Sequence, residues 1–238
     1  MCFSASASFT AGAFLVPIGA YAVASAISLK RYHYILLALV PFFFGIQQII
    51  EGGVWLSYDT NAKENLHLFS LGFVFFSHFF WPFWIPISVY IIMRNHTCTR
   101  AWITLFLAVV GCILGVVSYI PFLLNPESIQ VALCASSIQY SYQTVLDALI
   151  GTSIGKYVYI AIIILPLWIC RDWAVKILGI LILLSVIASY LFYSYAFNSV
   201  WCFFSAVISI YVVYIIRRKK DFGCNYTIKN KNSSNSLK

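Results

Sequence analysis

Charged side chains are scarce in this chain. Only 9% of its 238 residues are charged, seven of them acidic, whereas 62% are hydrophobic and 18% are aromatic. Soluble domains carry about 25% charged and about 45–50% apolar residues, so this composition excludes an ordinary soluble domain. The sequence predicts an all-α protein embedded in the plasma membrane or the bacterial inner membrane, with the lipid bilayer as its first partner.

The usual signatures of metal and cofactor chemistry are also missing. The seven cysteines include no Cys-x-x-Cys pair. Four histidines are present and only His78 falls inside an apolar run, whereas a zinc amidase of the ceramidase kind requires about three converging on the metal. The last apolar run has no lysine for a retinal Schiff base, and Met93-Arg94-Asn95 replaces the Asp/Glu-Arg-Tyr signature of G-protein-coupled receptors. We therefore predict neither a metal nor a cofactor.

The N-terminus lacks the basic residues that begin a secretory signal. The first charged residue is Lys30, and a signal peptide starts with a positively charged segment. We therefore expect the first apolar run to remain in the protein as a helix.

Seven apolar runs of membrane-spanning length follow one another along the chain. A span requires about 20 residues, so this chain has room for one bundle and for no second domain. The predicted helices cover residues 5–29, 34–58, 68–93, 101–124, 147–170, 174–193 and 198–216, which together make one domain, residues 1–216. Residues 217–238 form a basic, polar tail whose Asn, Ser and Lys content is typical of disorder.

The basic residues indicate the orientation of this bundle, because cytoplasmic connections are enriched in Lys and Arg. They occur in every second connection: Lys30 and Arg31, Arg94 and Arg100, Arg171 and Lys176, and Arg217 to Lys220. This pattern predicts an N-terminus outside and a C-terminus inside. The formal charge of +8 then indicates anionic lipids at the cytoplasmic tail and no nucleic acid.

One connection is long enough to have structure of its own. Residues 125–143 contain a single charge, Glu127, and apolar residues alternate on both sides of Ser136-Ser137. Such alternation predicts a short hairpin or a folded cap over the outer end of the bundle.

Polar side chains in the second helix are the main functional signal. Gln47, Gln48, Glu51 and Trp55 recur at spacings of three and four residues, which places them on one stripe of a helix. A carboxylate at membrane depth is costly, so it must be neutralised, paired or used. Glu51 is therefore either part of a site or a protonated group that hydrogen-bonds a neighbouring helix.

Two other ionisable residues are predicted to lie at the same membrane depth as Glu51. At a rise of about 1.5 Å per residue, Glu51, His78 and Lys156 each lie roughly 20–23 Å above the inner ends of their helices, in the outer half of the membrane. Trp81 follows His78 by three residues. We predict a ligand-binding layer formed by Gln47, Gln48, Glu51, Trp55, His78, Trp81 and Lys156.

Two weaker patterns suggest a nucleophile instead. Ser153 lies in a Gly-x-Ser-x-Gly string that overlaps a Ser-x-x-Lys string ending at Lys156. The former motif requires a strand–turn–helix setting, which this segment does not offer, and small residues for close helix packing explain it more simply. Cys2 would be an N-terminal thiol on the outer face if Met1 were removed; a shielded thiol and a disulfide with Cys134 are the alternatives.

Several segments resemble a bacterial family of uncharacterised multi-pass membrane proteins. They are MCFSASASF at residues 1–9, FGIQQ at 44–48, EG at 51–52, VW at 54–55, WP at 81–82, IQY at 138–140 and WCFF at 201–204. The resemblance covers nearly the whole chain except the tail. It implies a small polytopic membrane protein and no particular reaction.

Three functions remain open at this point. The first is binding or translocation of a small polar or amphipathic ligand, or of protons, at the Glu51 layer. The second is an intramembrane hydrolase that acts from the outer face, with Ser153 or Cys2 as the nucleophile. The third is a structural or assembly role in which Glu51 only joins helices.

Overall fold

Seven helices make up most of this computed structural model, which describes residues 4–94, 99–134, 137–142, 144, 151–193 and 196–218. The helices are α1 Ala5–Ser28, α2 Tyr32–Asp59, α3 Lys63–Met93, α4 Thr99–Leu124, α5 Thr152–Ile169, α6 Trp173–Phe192 and α7 Phe197–Arg217. The predicted all-α class is confirmed. The helix α3 begins at Lys63 and not at residue 68, because its first turn is polar and gives no hydropathy signal.

Six of these helices are long and apolar enough to cross a membrane by length and composition. The fifth, α5, has a shorter apolar stretch, Ile154–Ile169. Its predicted start at residue 147 lies outside the described residues. The structure therefore supports a membrane protein. Of the seven spans predicted from the sequence, six correspond to helices of sufficient length and one to the shorter helix α5.

The long connection between α4 and α5 contains a β-hairpin. Strands β1, Gln130–Cys134, and β2, Ser137–Ser141, pair antiparallel. Ile138 of β2 is fully buried against Val54 and Trp55 of α2. The alternation in the sequence thus identified a hairpin, and its apolar face caps the end of the bundle.

Glycines bring α1 and α2 into close contact. A Cβ placed on Gly12 would lie 2.9 Å from the carbonyl oxygen of Gly45, and one placed on Gly19 would overlap the backbone of Phe42. Helices in lipid associate through such small-residue surfaces, because no hydrophobic effect drives them together.

The helix α3 has an irregular turn before Pro82. Residues Phe75–Phe80 form a π-helical turn, and the Trp81 N–H is bonded to the carbonyl of Phe76, five residues earlier. Proline has no N–H and cannot continue the hydrogen-bonding pattern. A bend was expected here from Pro82 and Pro86; the observed distortion is an inserted π turn.

The helix α4 packs directly on this turn. Gly111 and Gly115 form a Gly-x-x-x-Gly motif on α4. A Cβ on Gly115 would lie 2.9 Å from the Cα of Phe79, and one on Gly111 would overlap the carbonyl oxygen of Pro82. The two glycines therefore let α4 approach the irregular backbone of α3.

The end of the bundle that carries the basic connections is closed by a buried carboxylate. Asp172 is 2% exposed, and it caps α6 by accepting a hydrogen bond of 2.9 Å from the Ala174 N–H. Its oxygens also accept from the Tyr34 hydroxyl at 2.6 Å and from Arg218, with which it forms a salt bridge. Arg218 belongs to the tail that was predicted to begin at residue 217, and it is the last described residue. Residues 219–238 lie outside the described residues.

We predict that Gly111→Ala lowers the free energy of unfolding by about 1–3 kcal/mol, the usual cost of overpacking. The added methyl group meets backbone atoms of Pro82, which cannot move aside as a flexible side chain would. Gly72→Ala is the control, because its Cβ would lie 3.3 Å from the movable Ile50 side chain. Equal unfolding temperatures of the two variants in mild detergent would contradict the close α3–α4 contact.

Candidate functional site

A cavity of about 210 Å³ lies where α3, α4, α5, α7 and the segment after the hairpin converge. Apolar side chains such as Pro82, Leu114 and Ile160 form part of its wall. The polar and aromatic members of the wall are Ser77, His78, Ser118, Tyr140, Tyr142, Thr144, Lys156, Tyr159, Phe197, Asn198, Trp201 and Cys202. This mixture of an apolar body and a few polar groups is typical of small-molecule sites.

The π turn of α3 explains one side of this cavity. The carbonyl of Ser77 would take its partner from residue 82 in π geometry, but Pro82 has no N–H to donate. Trp81, the partner in α geometry, is already bonded to Phe76. The hydroxyl of Tyr159 on α5 donates to the Ser77 carbonyl instead. A missing backbone donor is thus replaced by a side chain from another helix.

His78 occupies the same turn and faces the cavity. Its Nδ1 lies 2.9 Å from the Ser77 hydroxyl oxygen, and its ring meets the Tyr142 ring edge-on with centroids 4.9 Å apart. The Tyr142 hydroxyl in turn accepts a hydrogen bond of 2.6 Å from the Asn198 amide. The hairpin segment, α3 and α7 are therefore connected through the cavity wall.

Lys156, near the beginning of α5, is another residue of the cavity wall. Gly151 precedes the helix at φ 83°, a conformation that glycine adopts without strain. Among the described residues, no side chain caps the first turn of α5. The cavity therefore meets both a lysine and the positive end of a helix dipole.

Glu51 lies behind this wall and is fully buried. Its Oε1 accepts from the Ser199 hydroxyl at 2.5 Å, and its Oε2 accepts from Gln48 at 3.2 Å. Within the described part of the chain, the cavity wall includes His78 and Lys156 but not Glu51. Cys202, a wall residue, lies beside both Glu51 and Gln47.

The other predicted residues on α2 and α3 surround Glu51. The indole of Trp81 donates to the Gln47 side-chain oxygen at 2.7 Å. Gln47 Nε2, Gln48 Oε1 and the Trp55 indole N–H are buried without a hydrogen-bond partner among the described residues. Trp55 packs instead under the hairpin. The predicted layer is thus divided into a buried polar group around Glu51 and a cavity in front of it.

Two predicted nucleophiles lie outside the described part of the structure. Cys2 belongs to residues 1–3, and the side chain of Ser153 is likewise not described. Within the described residues, no three His, Cys, Asp or Glu side chains form a group that could hold a metal ion.

Sequence reasoning missed three residues that define the site: Tyr142, Tyr159 and Asn198. Aromatic and amide side chains in apolar helices carry little signal, because they are common at membrane interfaces. Asn198 could have been identified from its spacing, since Asn198, Trp201 and Cys202 are three and four residues apart on one helix face.

These features define a helical membrane protein with a polar cavity among its helices. The chain belongs to the family of unknown function DUF6629, whose model matches residues 1–225. No curated protein and no solved structure matches the chain.

We predict that Tyr159→Phe lowers the free energy of unfolding by about 1–3 kcal/mol, because it leaves the buried Ser77 carbonyl without a donor. Tyr157→Phe is the matched control: it removes the same hydroxyl two residues away, from a side chain that is 68% exposed. Denaturant unfolding in mild detergent measures both. Equal stability of the two variants would contradict a structural role for the Tyr159 hydroxyl.

Glu51 provides a second test, through a pair of substitutions. Glu51→Gln should change stability little, because Gln48 can rotate its amide so that its unpartnered oxygen accepts from the new side chain. Glu51→Leu should cost about 1–3 kcal/mol, because it removes the acceptor of the Ser199 and Gln48 donors. The same unfolding measurement distinguishes the variants. If both unfolded like the parent protein, the buried hydrogen bonds of Glu51 would contribute nothing.

Proposed function

We propose that this protein is a multi-pass membrane protein that binds a small polar or amphipathic ligand in the cavity in the outer half of its bundle. The observation that supports this proposal is the 210 Å³ cavity at the junction of four helices and the hairpin segment. A purely structural role for the polar layer predicts tight packing there and no cavity.

The proposed topology has seven spans, the N-terminus outside and the C-terminus in the cytoplasm. Basic residues in alternate connections support this orientation. The short apolar stretch of α5 is consistent with it, because Gly155 and Lys156 at its beginning line the cavity and require no contact with lipid. In this arrangement the basic tail lies beside the anionic lipids of the cytoplasmic leaflet.

Glu51 adjoins the proposed site without lining its described wall. Hydrogen bonds from Gln48 and Ser199 hold its carboxyl group in place. This group lies beside Cys202, a wall residue, so a charged ligand or a proton in the cavity would interact with it through space. Transport would require a path to the other face as well. Cys2 and the Ser153 side chain lie outside the described part of the structure, so no observation favours the hydrolase alternative.

Thiol labelling tests the proposal. In intact cells, a membrane-impermeant maleimide should modify the variant Asn198→Cys, because residue 198 lines a cavity that opens outward in the proposed topology. Ser189→Cys is the control, since Ser189 is fully buried. Mass mapping of the two peptides excludes signal from native cysteines. We expect at least about tenfold faster labelling at position 198.

Modification of position 198 only after the membrane is permeabilised would reverse the proposed orientation. Equally slow labelling of both positions under all conditions would contradict an open cavity.

A further inference from the structure

The electrostatic character of the cavity restricts the ligands that it can take. Its described wall contains one lysine, Lys156, and one histidine, His78, and includes no carboxyl group among the described residues. The beginning of α5, with no described side-chain cap, adds the partial positive charge of a helix N-terminus at the same edge. The carboxyl group of Glu51 is not among the described wall residues, and both of its oxygens already accept hydrogen bonds.

Trp201 contributes ring carbons, and not its N–H, to the cavity wall. The residue is 6% exposed, and its indole nitrogen is fully buried without a partner among the described residues. A ligand in the cavity therefore meets an apolar surface at this position.

A second, apolar cavity adjoins the first. It measures about 30 Å³ and shares Tyr159, Trp201 and Cys202 with the first cavity. The rings of Tyr159 and Trp201 lie 5.5 Å apart and form the common wall. Beyond them the lining is mainly aliphatic and aromatic, with Ile163, Leu178 and Ile182. A polar group near Lys156 would therefore continue into an apolar chain.

We infer that the cavity binds a short-chain amphipathic acid, with its anionic oxygens beside Lys156 and its alkyl chain along the shared wall towards the apolar cavity. This inference rests on the proposed function and names the ligand class of the same site. The cavity of about 210 Å³ has room for much more than one water, so it can take the polar end of such an acid. Hexanoate is a suitable probe.

The test uses the full-length purified protein in a neutral detergent at pH 7.5, where carboxylic acids are ionised. The probes are hexanoate, acetate, hexanamide and hexyltrimethylammonium at equal ionic strength. Thermal unfolding measures binding, because a ligand of the native state raises Tm. Hexanoate should raise Tm in a saturable way, and each of the other three should bind at least about tenfold more weakly.

One pair of variants locates the effect. Lys156→Gln should weaken hexanoate binding about tenfold, whereas Lys63→Gln removes the charge of another exposed lysine outside the described wall and should not.

The outcomes separate this inference from the proposed function. Outward labelling of Asn198→Cys together with no Tm shift from hexanoate would overturn the inference and leave the open cavity in place. Equal shifts from hexanoate, hexanamide and hexyltrimethylammonium would also overturn it, because the site would then select only for the chain. A hexanoate shift that Lys156→Gln leaves unchanged would place the acid elsewhere and overturn it too. Failure of the labelling experiment would instead contradict the proposed function.

Discussion

Pro82 cannot donate a backbone hydrogen bond, and the part of the bundle around it is arranged to compensate for that missing donor. Inside a membrane no water is available to hydrogen-bond with backbone groups, so each unpaired carbonyl requires a donor from within the protein. The π turn shifts the deficit to the Ser77 carbonyl, and the hydroxyl of Tyr159 supplies the donor. The same turn presents His78 to the cavity, and Gly111 and Gly115 let α4 close over it. One missing N–H therefore fixes the relative positions of three helices.

The described ionisable groups near the cavity lie in two positions. Lys156 and the beginning of α5 line the cavity, whereas Glu51 is fully buried beside Cys202, and both of its oxygens accept hydrogen bonds. Under the proposed function this arrangement matters, because the residue in contact with the ligand would decide the sign of the ligand's charge. A site with Glu51 in front and Lys156 behind would select the opposite charge from nearly the same composition.

Hydropathy and helical spacing were sufficient to predict the helical class, the hairpin and the polar stripe of α2. Depth counting placed Glu51, His78 and Lys156 in one layer, and in the structure His78 and Lys156 line one cavity while Glu51 lies behind its wall. Depth says nothing about rotation around a helix axis, so it could not tell a wall residue from one behind the wall. Tyr159 and Asp172 were beyond this reasoning because their roles depend on partners that are distant in sequence.

The cluster around Asp172 can form in full only after the C-terminal end of α7 has been synthesised. Its salt-bridge partner, Arg218, follows the last helix, and Arg31 reaches the carbonyl of Ile216, 185 residues away. Synthesis proceeds from the N-terminus, so α6 is made while Asp172 still lacks its cation. Until α7 is in place, this carboxylate has its hydrogen bonds from Tyr34 and Ala174 but no cation beside it. A chain that ends before Arg218 would keep a buried carboxylate without a counter-ion.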